Sequence, residues 1–442
     1  MTTDRDFDAL MRSWFDASAA PAQPQDLVEA VRTATARDRP RSRRLARLGG
    51  DPMPAMVRSG LSRLALTGLA AVAIVSAIAL LVVLVGRPWR EVGPEPHESA
   101  SQEASQEATA SPRAASWMLT GTMMNGGDGH AAVLLPDGRV LVPGELYDPL
   151  TGAWSNAGGS PGLGGAPTAT LLGDGRALVV TDRAEIFDPR TNEWSPTGPM
   201  VAQRSGQTAT LLRNGRVLVA GGMGPNSSYD FLASAEIFDP TTNTWAATGS
   251  MLEPRGGRGI GVLAGLTATL LDNGTVLVAG GEGPFYTPLA SAEIYNPATG
   301  AWTATSAMST AREFHTATLL ANGLVLVVGG TQGNAAELYD PVAGSWESAG
   351  STAFLHTNHT ATLLNSGSVL VAGGSETTAA ELYEPTSGRF SSAGSMSVNR
   401  SWHSATLLAD GRVLIASGET LLAETEGSFR GLRSAEIYDP GS

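Results

Sequence analysis

HTATLLANGLVLVVGGTQGNAAELYDPVAGSWESAG, residues 315–350, is the stretch whose reading decides the fold. It alternates from Thr316 to Leu319, breaks at Asn322-Gly323, and resumes as an apolar run before Gly329-Gly330. Short apolar runs on both sides of Asn-Gly predict two antiparallel strands joined by a two-residue hairpin turn. "AELYDP" predicts a third strand closed by an Asp-Pro turn, and the segment opened by Trp346 a fourth.

The same pattern recurs along residues 116–442. Its turns fall at Asp137-Gly138, Asp174-Gly175, Asn214-Gly215, Asn273-Gly274, Asn322-Gly323, Ser366-Gly367 and Asp410-Gly411. The third-strand aromatics are Tyr147, Phe187, Phe238, Tyr295, Tyr339, Tyr383 and Tyr438. Trp154, Trp194, Trp245, Trp302, Trp346 or Phe390 opens the fourth strand. Seven units of roughly 47 residues, none able to bury both faces of its own sheet, predict radial stacking into a seven-bladed β-propeller. The last unit ends near Asp439 without its Trp strand, while "SWMLTGTM" around Trp117 is a Trp strand with no first three strands before it. The N-terminal strand is therefore expected to complete the last blade.

These motifs resemble the kelch-repeat family, and in particular the bacterial copies related to the galactose oxidase propeller. The Gly doublets at 221–222, 280–281, 329–330 and 373–374 belong to the resemblance, which covers residues 116–442. It implies an all-β fold. It leaves function open, because propellers host both enzymes and binding modules. In galactose oxidase copper is held by Tyr and His, and one ligand Tyr is crosslinked to Cys. This chain contains no Cys, so that radical cofactor cannot form.

Outward from the repeat, residues 87–115 are rich in Glu, Ser, Gln, Ala and Pro, as in "ASQEASQEA", and predict a disordered linker. Residues 64–86 predict a transmembrane helix. Leu64–Val85 is an uncharged run of 22 residues, thirteen of them Leu, Ile or Val. As a helix it would measure about 33 Å, which matches a bilayer core. Residues 1–63 predict a cytoplasmic tail with short helices around 4–16 and 26–37 and a basic juxtamembrane segment. That tail resembles the cytoplasmic ends of bacterial anti-sigma-type membrane proteins, without their zinc-binding His and Cys. Nine Arg between Arg32 and Arg63 oppose only Asp38 and Asp51, whereas acids follow the span. The positive-inside bias places the N-terminus in the cytoplasm and the propeller outside.

The formal net charge is −13. Residues 1–63 carry +3 and the part beyond the span −16, which argues against nucleic acid as a partner. No phosphate-cradling Gly loop, nucleophile elbow or calcium loop is recognisable, so neither catalytic residues nor a cofactor are assigned.

The candidate ligand-binding residues collect where fourth strands lead into the next first strand. His130, His315, His359 and His403 share one repeat slot, filled elsewhere by Pro167, Gln207 and Leu266. Four imidazoles there either approach a metal or are structural copies, and no metal site is assigned. Arg204, Arg312 and Arg400 stand three residues before that slot, and Phe314 and Trp402 directly before it. Arg255, Arg258 and Phe354 lie in the same kind of connection, and the long loops add Tyr229, Phe231, Phe285, Tyr286 and Phe429. Arginines and aromatics at one rim suit an anionic or sugar ligand, while the alternative for each Arg is an ion pair with a neighbouring blade. Three functions remain open: an extracytoplasmic binding module for a protein or polysaccharide, a propeller enzyme such as a lyase or copper-free oxidoreductase, and a sensor docking a cytoplasmic partner through residues 1–60.

Overall fold

The computed structural model describes residues 114–125, 131–158, 167–225, 230–257, 265–330, 333–374, 377–421 and 429–441. The expected tail, span and nearly all of the linker lie outside them. No helix among the described residues is long and apolar enough to cross a membrane.

The described residues form seven four-stranded antiparallel sheets and two small two-stranded ones. Each four-stranded sheet is one blade, and in six of them the strands are paired in chain order. Blade three is typical, with Thr208–Leu211, Val217–Ala220, Ala235–Asp239 and Thr244–Ala247. First strands of adjacent blades pack against one another around the axis. The second strand of every blade is buried along its whole length, because its two faces meet two neighbouring blades. Fourth strands are mostly exposed. This gradient explains why the second strand reads as a continuous apolar run.

The core is correspondingly divided. Leu218 and Ala220 of blade three pack with Val276, Val278 and Trp302 of blade four. Val217 and Val219, on the opposite face, pack with Leu178 and Val180 of blade two. A cluster of this kind fills each of the seven interfaces, including the one where Val140 and Val142 of blade one meet Leu414 and Ala416 of blade seven.

The ring closes as expected. Ser116–Leu119 pairs antiparallel with Ala435–Asp439, with Trp117 opposite Tyr438. The turns differ in detail from the sequence expectation. Only their glycines adopt positive φ, between 79° and 88°. The preceding Asp, Asn or Ser caps the backbone N–H two residues on, as in Asp137 with Arg139 (3.0 Å), Asn273 with Thr275 (2.9 Å) and Ser366 with Ser368 (3.3 Å). The loops are therefore longer than two residues, each with one left-handed glycine, and the Asp or Asn acts through its side chain.

Candidate functional site

In an antiparallel blade the second-to-third loops and the blade-to-blade connections emerge at the same end of the ring. At this mouth the incoming connections of blades three, four, five and seven share one construction. Arg204 donates to the carbonyls of Gly221 (2.8 Å) and Ser234 (2.9 Å) and to Glu236 Oε1 (2.7 Å). Arg255 does the same with Gly280 (3.0 Å), Ser291 (2.9 Å) and Glu293 (2.9 Å). Arg312 uses Gly329, Ala335 (both 2.7 Å) and Glu337 (3.0 Å). Arg400 uses Ser417 (3.0 Å), Ser434 (2.9 Å) and Glu436 (2.8 Å). Each glutamate in turn accepts a backbone N–H from the start of the same connection, as Glu236 does from Val201 (2.6 Å) and Glu436 from Ser397 (2.8 Å).

The ion pairs are fully enclosed, with the Arg204 side chain 0% and Glu236 1% exposed. This corrects the picture of Arg204, Arg312 and Arg400 as groups gathered on an open rim. Each guanidinium lies inside the blade it introduces, where desolvation is offset by a carboxylate and two carbonyls. Its partner belongs to its own blade, not to a neighbouring one.

Blade six departs from the rule. His356 stands where blades three, four, five and seven have Arg. Its Nε2 lies 2.9 Å from Glu381 Oε2 and its Nδ1 2.5 Å from the Gly373 carbonyl. Both ring nitrogens face acceptors, so the imidazole spans a carboxylate and a carbonyl as the guanidinium does in blades three, four, five and seven. The signal was present in the sequence, since His356 precedes His359 by the same three residues that separate Arg312 from His315.

The histidine slot is a blade-to-blade tie. Nε2 of His315, His359 and His403 pairs with the hydroxyl of Thr267 (3.1 Å), Thr316 (2.9 Å) and Thr360 (2.9 Å), each on the first strand of the preceding blade. Gln207, in the same slot, donates to the Val180 carbonyl (3.1 Å). Burial, reinforced by the neighbouring arginines, holds the imidazoles of His315 and His403 at about 3. Burial and the surrounding histidines hold His359 well below the ordinary histidine value. All three are neutral donors or acceptors in the folded ring. A Cβ at Gly280 would meet His315 Cε1 at 2.6 Å, which accounts for a glycine at the start of that doublet.

The residue directly before the slot lies in the connection at the mouth. Gly206, Phe314, Asn358 and Trp402 occupy it in blades three, five, six and seven, all with left-handed backbone at φ 62°, 55°, 57° and 54°. A chain of backbone hydrogen bonds links the last three, and Gly265 before the slot of blade four: Phe314 N to Gly265 O (3.1 Å), Asn358 N to Phe314 O (3.3 Å) and Trp402 N to Asn358 O (3.0 Å). Phe314, Asn358 and Trp402 are half-buried. Of the loop aromatics, Phe231 and Tyr286 pack edge to face at 5.8 Å, Phe285 is 83% exposed at the tip of the 282–288 hairpin, and Phe354 is 49% exposed. His130, Tyr229 and Arg258 lie outside the described residues. Asn358 and His356 are the site residues that the sequence reading passed over.

A tyrosine–cysteine copper centre does not fit this donor set. The chain has no Cys, and the three slot histidines direct Nε2 at threonines. Among the described residues no group of three or more His, Asp or Glu is placed to hold a metal ion.

Kelch motifs match at residues 206–252 and 266–309, which are the third and fourth repeats with their connections. No curated protein matches the chain. Among solved structures, a fungal alcohol oxidase of the AA5 family in complex with copper is similar in fold. Its TM-score is 0.59 at 17% identity, over 74% of this chain and 76% of that one. The kelch matches thus fall in two of the seven stacked blades, and the likeness to the solved oxidase is one of fold alone.

Proposed function

We propose that the chain is a membrane-anchored binding module, with its kelch propeller held outside the cytoplasm and its mouth taking a protein or polysaccharide ligand. The observation that carries this reading is the arc of Phe314, Asn358 and Trp402. Left-handed backbone costs a bulky residue about 1–2 kcal/mol. Blade three meets the same geometry with Gly206 and avoids that cost. Aromatic side chains kept at strained positions of a connection at the mouth suit a ligand's apolar face. The buried Arg–Glu pairs hold the connections that present them, so Arg204, Arg312 and Arg400, like His315, His359 and His403, act as positioning groups beneath this surface. Anchoring is supported by the apolar run Leu64–Val85 and the Arg bias before it.

Two experiments test the reading. A glycan and peptide array probed with the full chain, then with Trp402→Ala, should show retention that falls at least tenfold while melting changes little. Equal retention by Trp402→Ala and Phe314→Ala would remove the mouth from the site. Protease added to spheroplasts should cut within 91–115 and release a compact fragment. Digestion of the N-terminal tail with the propeller protected would reverse the topology.

A further inference from the structure

The turn end of the ring, opposite the mouth, repeats an arginine after the first-to-second turn. In blades one, two and seven it follows Asp-Gly and folds back onto that Asp: Arg139 on Asp137 (2.6 Å), Arg176 on Asp174 and Arg412 on Asp410 (both 2.7 Å). These arginine side chains are 26–29% exposed. Each also reaches a carbonyl of the next blade, namely Pro189 (2.9 Å), Pro240 (3.4 Å) and Pro149 (3.4 Å). Blade three breaks the pattern. Asn214 replaces the Asp, and its amide oxygen is occupied by the backbone N–H of Arg216 (3.1 Å).

Without a turn carboxylate, Arg216 reaches Asp239 at the end of its own third strand. The contact is through Nε alone, at 3.0 Å, and the side chain is 53% exposed. Its Nη1 and Nη2 are not engaged by any described residue. An arginine held at Nε by a carboxylate presents its Nη pair as a fixed fork, the geometry that accepts a carboxylate in two parallel hydrogen bonds. The fork lines a groove of about 620 Å3 between blades two and three, together with Asp174, Arg176, Asn214, Asp239 and Thr241. That volume falls in the range of small-ligand sites.

The geometry points to a second binding site in this groove, for a carboxylate-bearing sugar of the hexuronate type. The lining selects the class. Two arginines and two aspartates balance in charge, so the groove favours a ligand that brings hydroxyl donors beside its carboxylate over a purely anionic one. A single carboxylate on the Arg216 fork, with hydroxyls donating to Asp174 and Asp239 and meeting Asn214 and Thr241, would use both signs of charge in the groove. The site is independent of the mouth and stands or falls separately from the function proposed above.

Trigalacturonate titrated calorimetrically into the purified full chain tests it. Binding should exceed that of neutral galactotriose at least tenfold. Arg216→Gln should lose that difference. Asn214→Asp restores the sequence of the other blades and should draw Arg216 back onto its turn, so binding should fall as well. Both positions are at the surface, and melting should stay within about 2 °C of the parent. Equal binding of charged and neutral sugars, no binding of either, or parental affinity in Arg216→Gln overturns the site. Loss in Trp402→Ala alone would move the sugar to the mouth. An acidic pentapeptide that binds through Arg216 where trigalacturonate does not would overturn the sugar assignment.

Discussion

Trp117 stacks on Tyr438 with ring centroids 5.0 Å apart, so the first described strand and the last complete one blade. The same pair occurs within single units as Trp154 on Tyr147 and Trp302 on Tyr295. The indole N–H also donates to Ala393 O of blade six (2.8 Å), as Trp194 does to Ala157 of blade one (2.8 Å). Trp117 therefore ties the closing strand both to its blade and to the neighbouring one. A chain that begins at residue 125 loses the stack, the strand pairing and the Thr120–Tyr147 hydrogen bond (2.7 Å). It also exposes the edge of Ala435–Asp439. It should melt several degrees earlier, or aggregate, relative to one beginning at 112. Trp117→Ala should lose about 3–5 kcal/mol in part, because the ring is only half-buried. Identical melting of the two chain lengths would exclude this closure.

The four buried Arg–Glu pairs are expected to be structural first. Arg400→Ala leaves Glu436 enclosed with an unpaired charge, and removal of one member of such a pair costs about 3–5 kcal/mol. Arg204→Ala and Arg312→Ala should behave alike, while substitution of the exposed Arg190, which pairs with Asp188, should move the melting point far less. Thermal or denaturant melting of the four variants decides whether the buried pairs cost more than the exposed one. Mouth binding lost by Arg312→Ala at an unchanged melting point would instead return that side chain to the ligand.

Blade count, strand order and closure were legible in the sequence because each rests on a periodic pattern repeated seven times. Period-two alternation, Gly after Asp or Asn, and an aromatic opposite a tryptophan are local signals, and each copy corrects the others. The partners of Arg204, Arg312 and Arg400 were not legible. A conserved offset within a repeat fixes where a residue sits but not whether it points outward or under its own connection. The third-strand glutamates that bury these arginines read as the polar half of an alternating strand, on sequence indistinguishable from solvent-facing ones. The left-handed backbone at Phe314 and Trp402 was equally hidden, since neither residue type announces that conformation as Gly206 can at the equivalent place.

Acid should loosen the ring through its histidine slot. His315, His359 and His403 stay neutral when folded, with His315 and His403 held at about 3, whereas in the unfolded chain they protonate near 6.5. As the folded values are depressed, their contribution is intact above about pH 6.5. It is lost as pH falls toward 3, because the unfolded state binds protons first. Three such groups allow up to about 4 kcal/mol per pH unit below pH 6. Denaturant melting at pH 7.0, 6.0, 5.0 and 4.5 would measure the slope. Gln207 shows that glutamine suits the slot, so the triple variant His315→Gln, His359→Gln, His403→Gln should flatten it. A slope unchanged in that variant would assign the acid sensitivity to other groups.

The mouth arc permits a test in which stability and binding move independently. At Phe314 and Trp402, glycine removes both the side chain and the backbone strain of φ 55° and 54°. Alanine removes only the side chain. Left-handed backbone favours glycine over alanine by about 1 kcal/mol or more. Phe314→Gly and Trp402→Gly should therefore melt above the corresponding alanine variants and near the parent. If the aromatics are kept for packing, both glycine variants should melt well below the parent, by the several kcal/mol that burial of a large ring contributes. If they are kept for a ligand, the glycine variants should be as stable as the parent to within about 1 kcal/mol and retain at least tenfold less of the array-selected partner. Parental binding by a stable Phe314→Gly, Trp402→Gly double variant would show that the arc faces the channel without contributing to recognition.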